Sequence, residues 1–207
     1  MTLKSRTRNL LVSVLCLLLS SCADSINNLS KETYSAEGFS PAILSKGKMA
    51  LTPTVTGSGT IEEATTIGRL LDRAMRKHFP QPGVLMEESS VSDHIRRDSA
   101  LASLWNQMAP HISAHSIRGM TATRSFAQSL GVRYLFETQI QMAEIAGGAE
   151  QVRIYARIYD TKQERIVWEG IGEGRGYEKL VFPSTPATFR IVADTAVKGL
   201  VSQLYGR

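Results

Sequence analysis

Several stretches of this 207-residue chain carry side chains whose types and spacing suit chemistry. His111-Ile-Ser-Ala-His115 sets two imidazoles four residues apart, a spacing that on a helix can hold a metal ion. A zinc site of the HExxH kind adds a Glu beside the first His and a third ligand elsewhere. Neither accompanies this pair, and Pro110 places it in a connection between helices. Solvated loop histidines are therefore expected, and no metal site. Gly57-Ser58-Gly59 precedes a helix start, where backbone amides could meet a phosphate. No Lys follows as in a Walker loop, so a plain turn is expected. "GIGEGRG" spaces Gly170, Gly172, Gly174 and Gly176 at alternate positions and lacks the spacing and helix start of a dinucleotide loop. It reads as a strand with one bare face, packed either on a helix backbone or on an approaching partner. Arg153, Tyr155, Arg157 and Tyr159 alternate along the preceding strand. Such a row suits a protein contact, since Tyr and Arg are enriched at binding hot spots, or it lies under a helix with its stems buried. Partner binding is assigned here to Tyr155, Arg157, Tyr159, Gly172 and Gly174. There is no GxSxG elbow and no carboxylate pair apart from the surface charge. No enzyme, no cofactor and no metal are expected; the alternative is a small hydrolase using His111 or His115.

The remaining candidate is Cys22. Lys4, Arg6 and Arg8 precede the apolar run Leu10–Leu19, which is half of the roughly 20 residues needed to cross a bilayer. A basic start, a short apolar run and small residues at its end describe a secretory signal. Leu19-Ser20-Ser21-Cys22 resembles the bacterial lipobox, in which the thiol is lipidated and becomes the new amino terminus. That resemblance implies a lipid (palmitate-bearing) anchor on Cys22. The residue after the Cys is Ala23 and not Asp, which implies the outer membrane, periplasmic face. Cys16 leaves with the signal, so the exported chain has no cysteine pair and its core must suffice alone. Removing Lys4, Arg6 and Arg8 takes the formal charge from +5 to +2. The other charges are interspersed, which gives no support to nucleic-acid binding.

These residues need elements to position them. Residues 22–46 lack a period and are rich in Ser and Asn, as expected of a flexible tether. A domain is expected over residues 47–207. Lys48–Val55 reads as a strand weakened by Pro53. Thr60 and Glu63 fit a capping box, followed by Ala64, Ile67, Leu71, Ala74 and His78 at helical spacing. Gly83–Glu88 reads as a second strand. Helices are expected over 92–108 and over 121–130, the latter closed by Gly131. Three strands follow: 132–145, 151–160 and 165–174. The short connections make them antiparallel hairpins. In the last of them Trp168 is expected in the core, sharing a face with Ile166 and Gly170. Thr185-Pro186 is expected to open a final helix. The fold class is thus α/β, one mixed sheet with helices packed on it, in the order β-α-β-α-α-β-β-β-α.

"SFAQSLGVRYLFETQIQ", "ARIYDTKQERIVWEGIGEG" and "MALTPTVTGSGTIEEATTIGRLLDRAM", taken with the lipobox, resemble a periplasmic lipoprotein superfamily. Its members include the LpoB-type activators of penicillin-binding proteins, the curli secretion lipoprotein CsgG and the amino-terminal domain of TolB; the LpoB type is nearest in pattern. The resemblance implies a non-enzymatic α/β domain that docks to an envelope protein in assembly, secretion or cell-wall synthesis. An oligomeric, CsgG-like secretion subunit is the further alternative.

Overall fold

The computed structural model describes residues 29–112, 117–146, 149–176 and 187–206. Cys22, His115 and the Thr185-Pro186 pair lie outside them. The described elements are β1 (Lys31–Ser35), β2 (Met49–Leu51), β3 (Val55–Thr56), α1 (Ile61–Arg76), β4 (Leu85–Met86), α2 (Glu88–Arg97), α3 (Ser99–Met108), α4 (Ile117–Leu130), β5 (Tyr134–Ala146), β6 (Ala149–Asp160), β7 (Arg165–Gly176) and α5 (Phe189–Tyr205). The strands form one seven-stranded sheet in the order β1-β7-β6-β5-β2-β4, with β3 also paired to β5. β2, β3 and β4 run parallel to their neighbours, and β5, β6, β7 and β1 form antiparallel pairs. This is the expected α/β class with a mixed sheet.

The chain path explains why both faces are covered. From β2 the chain moves outward to β4 through α1, then returns across β2 to β5 through α2, α3 and α4. Parallel crossovers are right-handed, so two crossovers travelling in opposite directions fall on opposite faces. Accordingly α1 packs in one core with Phe136, Ile158 and Leu200, while α3 and α4 pack in a second with Leu135 and Tyr159. Alternation along β6 feeds the first core with Val152, Ile154, Ala156 and Ile158.

Local signals behave as their chemistry requires. The Thr60 hydroxyl accepts from the Glu63 amide (3.2 Å), and the Glu63 carboxylate accepts from the Thr60 amide (2.6 Å), so α1 has its capping box. Ala64, Ile67, Leu71 and Met75 are buried along it. Pro53 interrupts the first strand, which stops at Leu51 and resumes at Val55. Gly131 closes α4 at φ +64°.

Three expectations are corrected. The tether does not extend to residue 46. Lys31–Ser35 pairs with β7 as an edge strand, and Leu44 is fully buried beyond it. The Ser- and charge-rich composition misled because an edge strand with an exposed face needs no apolar alternation. The helix expected over 92–108 is two helices. Backbone geometry turns extended at Asp98 (φ −121°, ψ 108°), whose carboxylate accepts from the Ala100 amide (2.8 Å) and the Leu101 amide (3.2 Å). Asp competes with the helical backbone for amides and so favours caps over interiors. Trp168 is fully buried as expected, and its Nε1 donates to Glu32 (2.9 Å). Ile166, however, pairs with Tyr159 whereas Trp168 pairs with Ile158. A bulge at Val167 thus sends Ile166 to the opposite face.

The alternate glycines face α5. A Cβ on Gly172 would collide with the Ala196 carbonyl and lie 2.9 Å from Leu200 Cβ; one on Gly174 would collide with the Val192 carbonyl and lie 3.0 Å from the Ala196 amide. Val192 and Ala196 are one turn apart, so the helix backbone rests directly on the strand. Gly174→Ala must push α5 off the sheet. It should cost roughly 1–3 kcal/mol or more, read as a lower urea midpoint; an unchanged midpoint would contradict this packing.

Candidate functional site

The row assigned to partner binding is inside the protein. Tyr155 is 7 % exposed, Arg157 2 % and Tyr159 2 %. Register explains what Arg157 does there: it pairs across the ladder with Glu137 on β5 and with Glu169 on β7. The three side chains form a transverse row, carboxylate–guanidinium–carboxylate, with both carboxylates buried. Arg157 Nε donates to Glu137 Oε2, and the Tyr155 hydroxyl donates to Glu169 Oε1. Burial raises the Glu137 pKa, and the Arg157 charge opposes that rise. The buried Thr123 hydroxyl, from α4, sits close enough to favour the carboxylate, yet neither it nor Glu137 Oε1 closes a hydrogen bond. Burial, with the neighbouring Glu169, also pushes the Tyr155 phenol up. Tyr159 packs in the core of α3 and α4. Gly172 and Gly174 meet α5, not a partner. The expected contact surface is therefore corrected on both counts: the row is covered by helices, and the bare face is filled by a helix backbone.

The sequence carried a signal for Glu137 and Glu169 that went unused. Each is a lone carboxylate in an apolar strand segment, "LFET" and "VWEG". A charge there needs a buried counter-charge, and cross-strand register supplies Arg157.

The other candidates resolve as structure. The amides of Gly57 and Ser58 both donate to the Ile140 carbonyl (3.1 and 3.0 Å), so these two donors of the turn are spent on β5. His111 packs against Gly119, and His115 is outside the described residues. Among the described residues, no group of three His, Cys, Asp or Glu side chains is placed to hold a metal ion.

A surface cleft of about 370 Å³ is lined by Thr54, Thr56, Thr65, Glu88 and Trp105, among others. Glu88 sits over Gly68, where an added Cβ would lie 2.7 Å from its carboxylate. Its pKa is raised by burial and by the nearby Asp72, with Ser92 opposing. Asp72 projects from α1 and caps α2 from outside, accepting from the Glu88 amide (2.8 Å). Its own pKa is raised, by burial first, against the pull of the amide bond. The lining offers one carboxyl and several hydroxyls, which can hydrogen-bond a ligand. It does not offer the paired acid and base of a hydrolase.

No family model matches the chain, and no curated protein matches it in sequence. Solved structures do. The PelC dodecamer from Paraburkholderia phytofirmans is similar at a TM-score of 0.52 and 13 % identity, covering 87 % of this chain and 99 % of that one. Lipoprotein GNA1162 from Neisseria meningitidis gives 0.48 at 13 % identity, covering 77 % of this chain and 99 % of that one. The LpoB C-terminal domain from Salmonella enterica gives 0.34 at 18 % identity, covering 67 % and 86 %. The chain thus shares its fold with the PelC protomer.

Three variants test the site chemistry. Arg157→Ala strands two buried carboxylates and should cost about 3–5 kcal/mol. Glu137→Met combined with Arg157→Met should recover much of that loss in urea unfolding. For Asp72, a folded pKa above the unfolded one means that stability is full below the unfolded pKa and falls as pH rises through the folded one. Asp72→Asn keeps an acceptor oxygen but no charge. Its stability should match the parent near pH 3.5 and exceed it at pH 7; a parent more stable at pH 7 would contradict the burial penalty.

Proposed function

We propose that this chain is a lipoprotein anchored through Cys22 at the periplasmic face of the outer membrane. It works there as a non-enzymatic, protein-binding accessory in envelope assembly, secretion or cell-wall synthesis. The observation that carries this reading is Leu19-Ser20-Ser21-Cys22 directly ahead of a domain that is already folded at Leu29, where the amide bonds β7. Two further features support it. The buried polar groups that could do chemistry, Glu137, Arg157, Tyr155 and Glu169, are engaged with one another. No helix among the described residues is long and apolar enough to cross a membrane, so the lipid would be the attachment.

A second reading is favoured by one finding. The PelC protomer, which has this fold, occurs as a dodecamer. Self-assembly into an oligomeric secretion subunit, as in the CsgG type, would use contacts between copies. β1 forms one open edge of the sheet, but Lys31, Glu32 and a register shift at Thr33 blunt it against indiscriminate pairing.

Labelling with radioactive palmitate should mark the wild-type protein in the outer-membrane fraction and leave Cys22→Ser unlabelled. Crosslinking in the intact envelope should then join the wild type to a distinct envelope protein. A labelled Cys22→Ser protein would sink the anchor reading. Crosslinks confined to copies of this chain, with a large sedimentation coefficient, would favour self-assembly.

A further inference from the structure

One end of the domain gathers features that the proposed function does not use. Leu29 enters there, its amide donating to the Glu173 carbonyl (3.2 Å). Ile145 pairs with Glu150, and Glu150 pairs with Gly176. The Gly176 carbonyl accepts from the Ala187 amide (3.3 Å), which leads straight into α5. α1 starts at the same end, because a Cβ on Gly59 would lie 3.2 Å from Ala143 Cβ. Five large apolar side chains are exposed among the described residues, and four of them sit here: Leu29, Ile61 (80 % exposed), Ile145 (71 %) and Ile191. Clustering at one pole separates these four from the scattered apolar exposure that any surface shows.

Beside them, α1 and the start of α5 enclose a cleft of about 320 Å³. Arg69, Arg73 and Arg190 line it, with Thr66, Thr188 and Phe189. Among the described residues neither Arg73 nor Arg190 makes an ion pair; Arg69 has only long bonds (3.4 Å) to Thr65 and Thr66. Among the described residues no carboxylate lines the cleft. Three guanidiniums around one small space suit an oxyanion with oxygens pointing in several directions, as a phosphate ester has and a carboxylate has not.

We propose that this end of the domain lies against the membrane surface, with Leu29, Ile61, Ile145 and Ile191 in the interfacial layer and a lipid phosphate headgroup in the Arg69–Arg73–Arg190 cleft. The reason to choose a lipid over a soluble phosphate ester is the chain itself. Residues 23–28 span at most about 25 Å between Cys22 and Leu29. A lipid on Cys22 would therefore keep this end within about 25 Å of the bilayer. Exposed apolar side chains combined with cations are what interfacial binding requires. The inference rests on the anchor reading for its orientation, but the surface can be tested without the anchor.

The protein to use is the full chain from residue 22 onward, bearing Cys22→Ser so that it carries no lipid. It should co-sediment with phosphatidylglycerol-containing vesicles at low salt, and less so as salt rises. Phosphatidylcholine vesicles alone should capture little. Arg73→Gln with Arg190→Gln should weaken capture about 30-fold, taking each cation near an anionic surface as worth roughly fivefold. Ile61→Ser with Ile145→Ser should weaken it as well. All four positions are exposed apart from the partly shielded cleft walls, so circular dichroism and melting should stay unchanged. Absent vesicle capture, or capture indifferent to both double variants, overturns the proposal. Glycerol phosphate shifting the arginine side-chain NMR signals without any vesicle capture also overturns it, and makes the cleft a site for soluble esters. Palmitate labelling of the wild type reports on the anchor separately, so either reading can fail alone.

Discussion

The contact between α5 and the glycine face of β7 is the constraint on which the rest of the domain depends. A helix backbone can touch a strand only where no Cβ intervenes, and Gly172 and Gly174 remove two in succession beneath Val192 and Ala196. That close approach sets the depth of the first core, between Trp168 and Phe136 on the sheet and Leu200 and Val197 on the helix. It also sets the position of α1, which packs beside α5 and has to share the same floor. The cleft between α1 and the start of α5 follows from this arrangement. The helices meet closely further along, where His78 stacks on Tyr205 at 3.6 Å, while Arg69, Arg73 and Arg190 stand around the opening.

On the opposite face the sheet meets its helices through a different chemistry. Glu137, Arg157 and Glu169 set two carboxyl groups about one guanidinium in the interior, and the Tyr155 hydroxyl donates to Glu169. Such a row adds little net stability, since desolvation offsets the attraction. It does discriminate between registers. Sliding β6 by one residue against β5 or β7 would move Arg157 to the other face and strand both carboxylates. In a sheet where strands of 12 or 13 residues must pair along their whole length, this is a stringent condition. Arg and Tyr in alternation, which suggest a contact surface, are here the means by which three strands find their alignment.

The parts of this fold legible in the sequence are those decided by neighbours along the chain. Thr60 and Glu63 satisfy each other within one turn, Gly131 supplies its own left-handed conformation, and alternation in β6 shows in Val152, Ile154, Ala156 and Ile158. The parts that were not legible depend on distant partners. Lys31–Ser35 becomes a strand only because β7 offers an unpaired edge, with Glu32 reaching the Trp168 indole. Asp98 breaks a helix whose periodicity runs on through it, since its carboxylate captures two amides that the pattern does not register. The bulge at Val167 reverses the side of Ile166 with no mark in residue type. Of the candidate site, the residue types in β6 and β7 were visible but their exposure was not: an Arg in a strand looks the same whether it faces water or a glutamate on the neighbouring strand. The arginines of the cleft come from helices far apart in sequence, and only the seating of α5 on its glycines brings them together.

Anchoring changes what a weak surface can do. A headgroup contact that would hold a free protein only transiently becomes effective when a lipid keeps the same surface within about 25 Å of the bilayer, because the second contact is then intramolecular. The gain is in orientation. A single lipid would leave a domain free to turn about its attachment; a second attachment, at a cleft between two helices that pack on the sheet, would fix which way the body points. With the Leu29 end toward lipid, the far ends of α1 and α5 and the stacked His78 and Tyr205 would point away from the bilayer. A partner approaching from that side would meet the same face on every copy. The contact that seats α5 on β7 would in this way also decide which surface of the protein is presented.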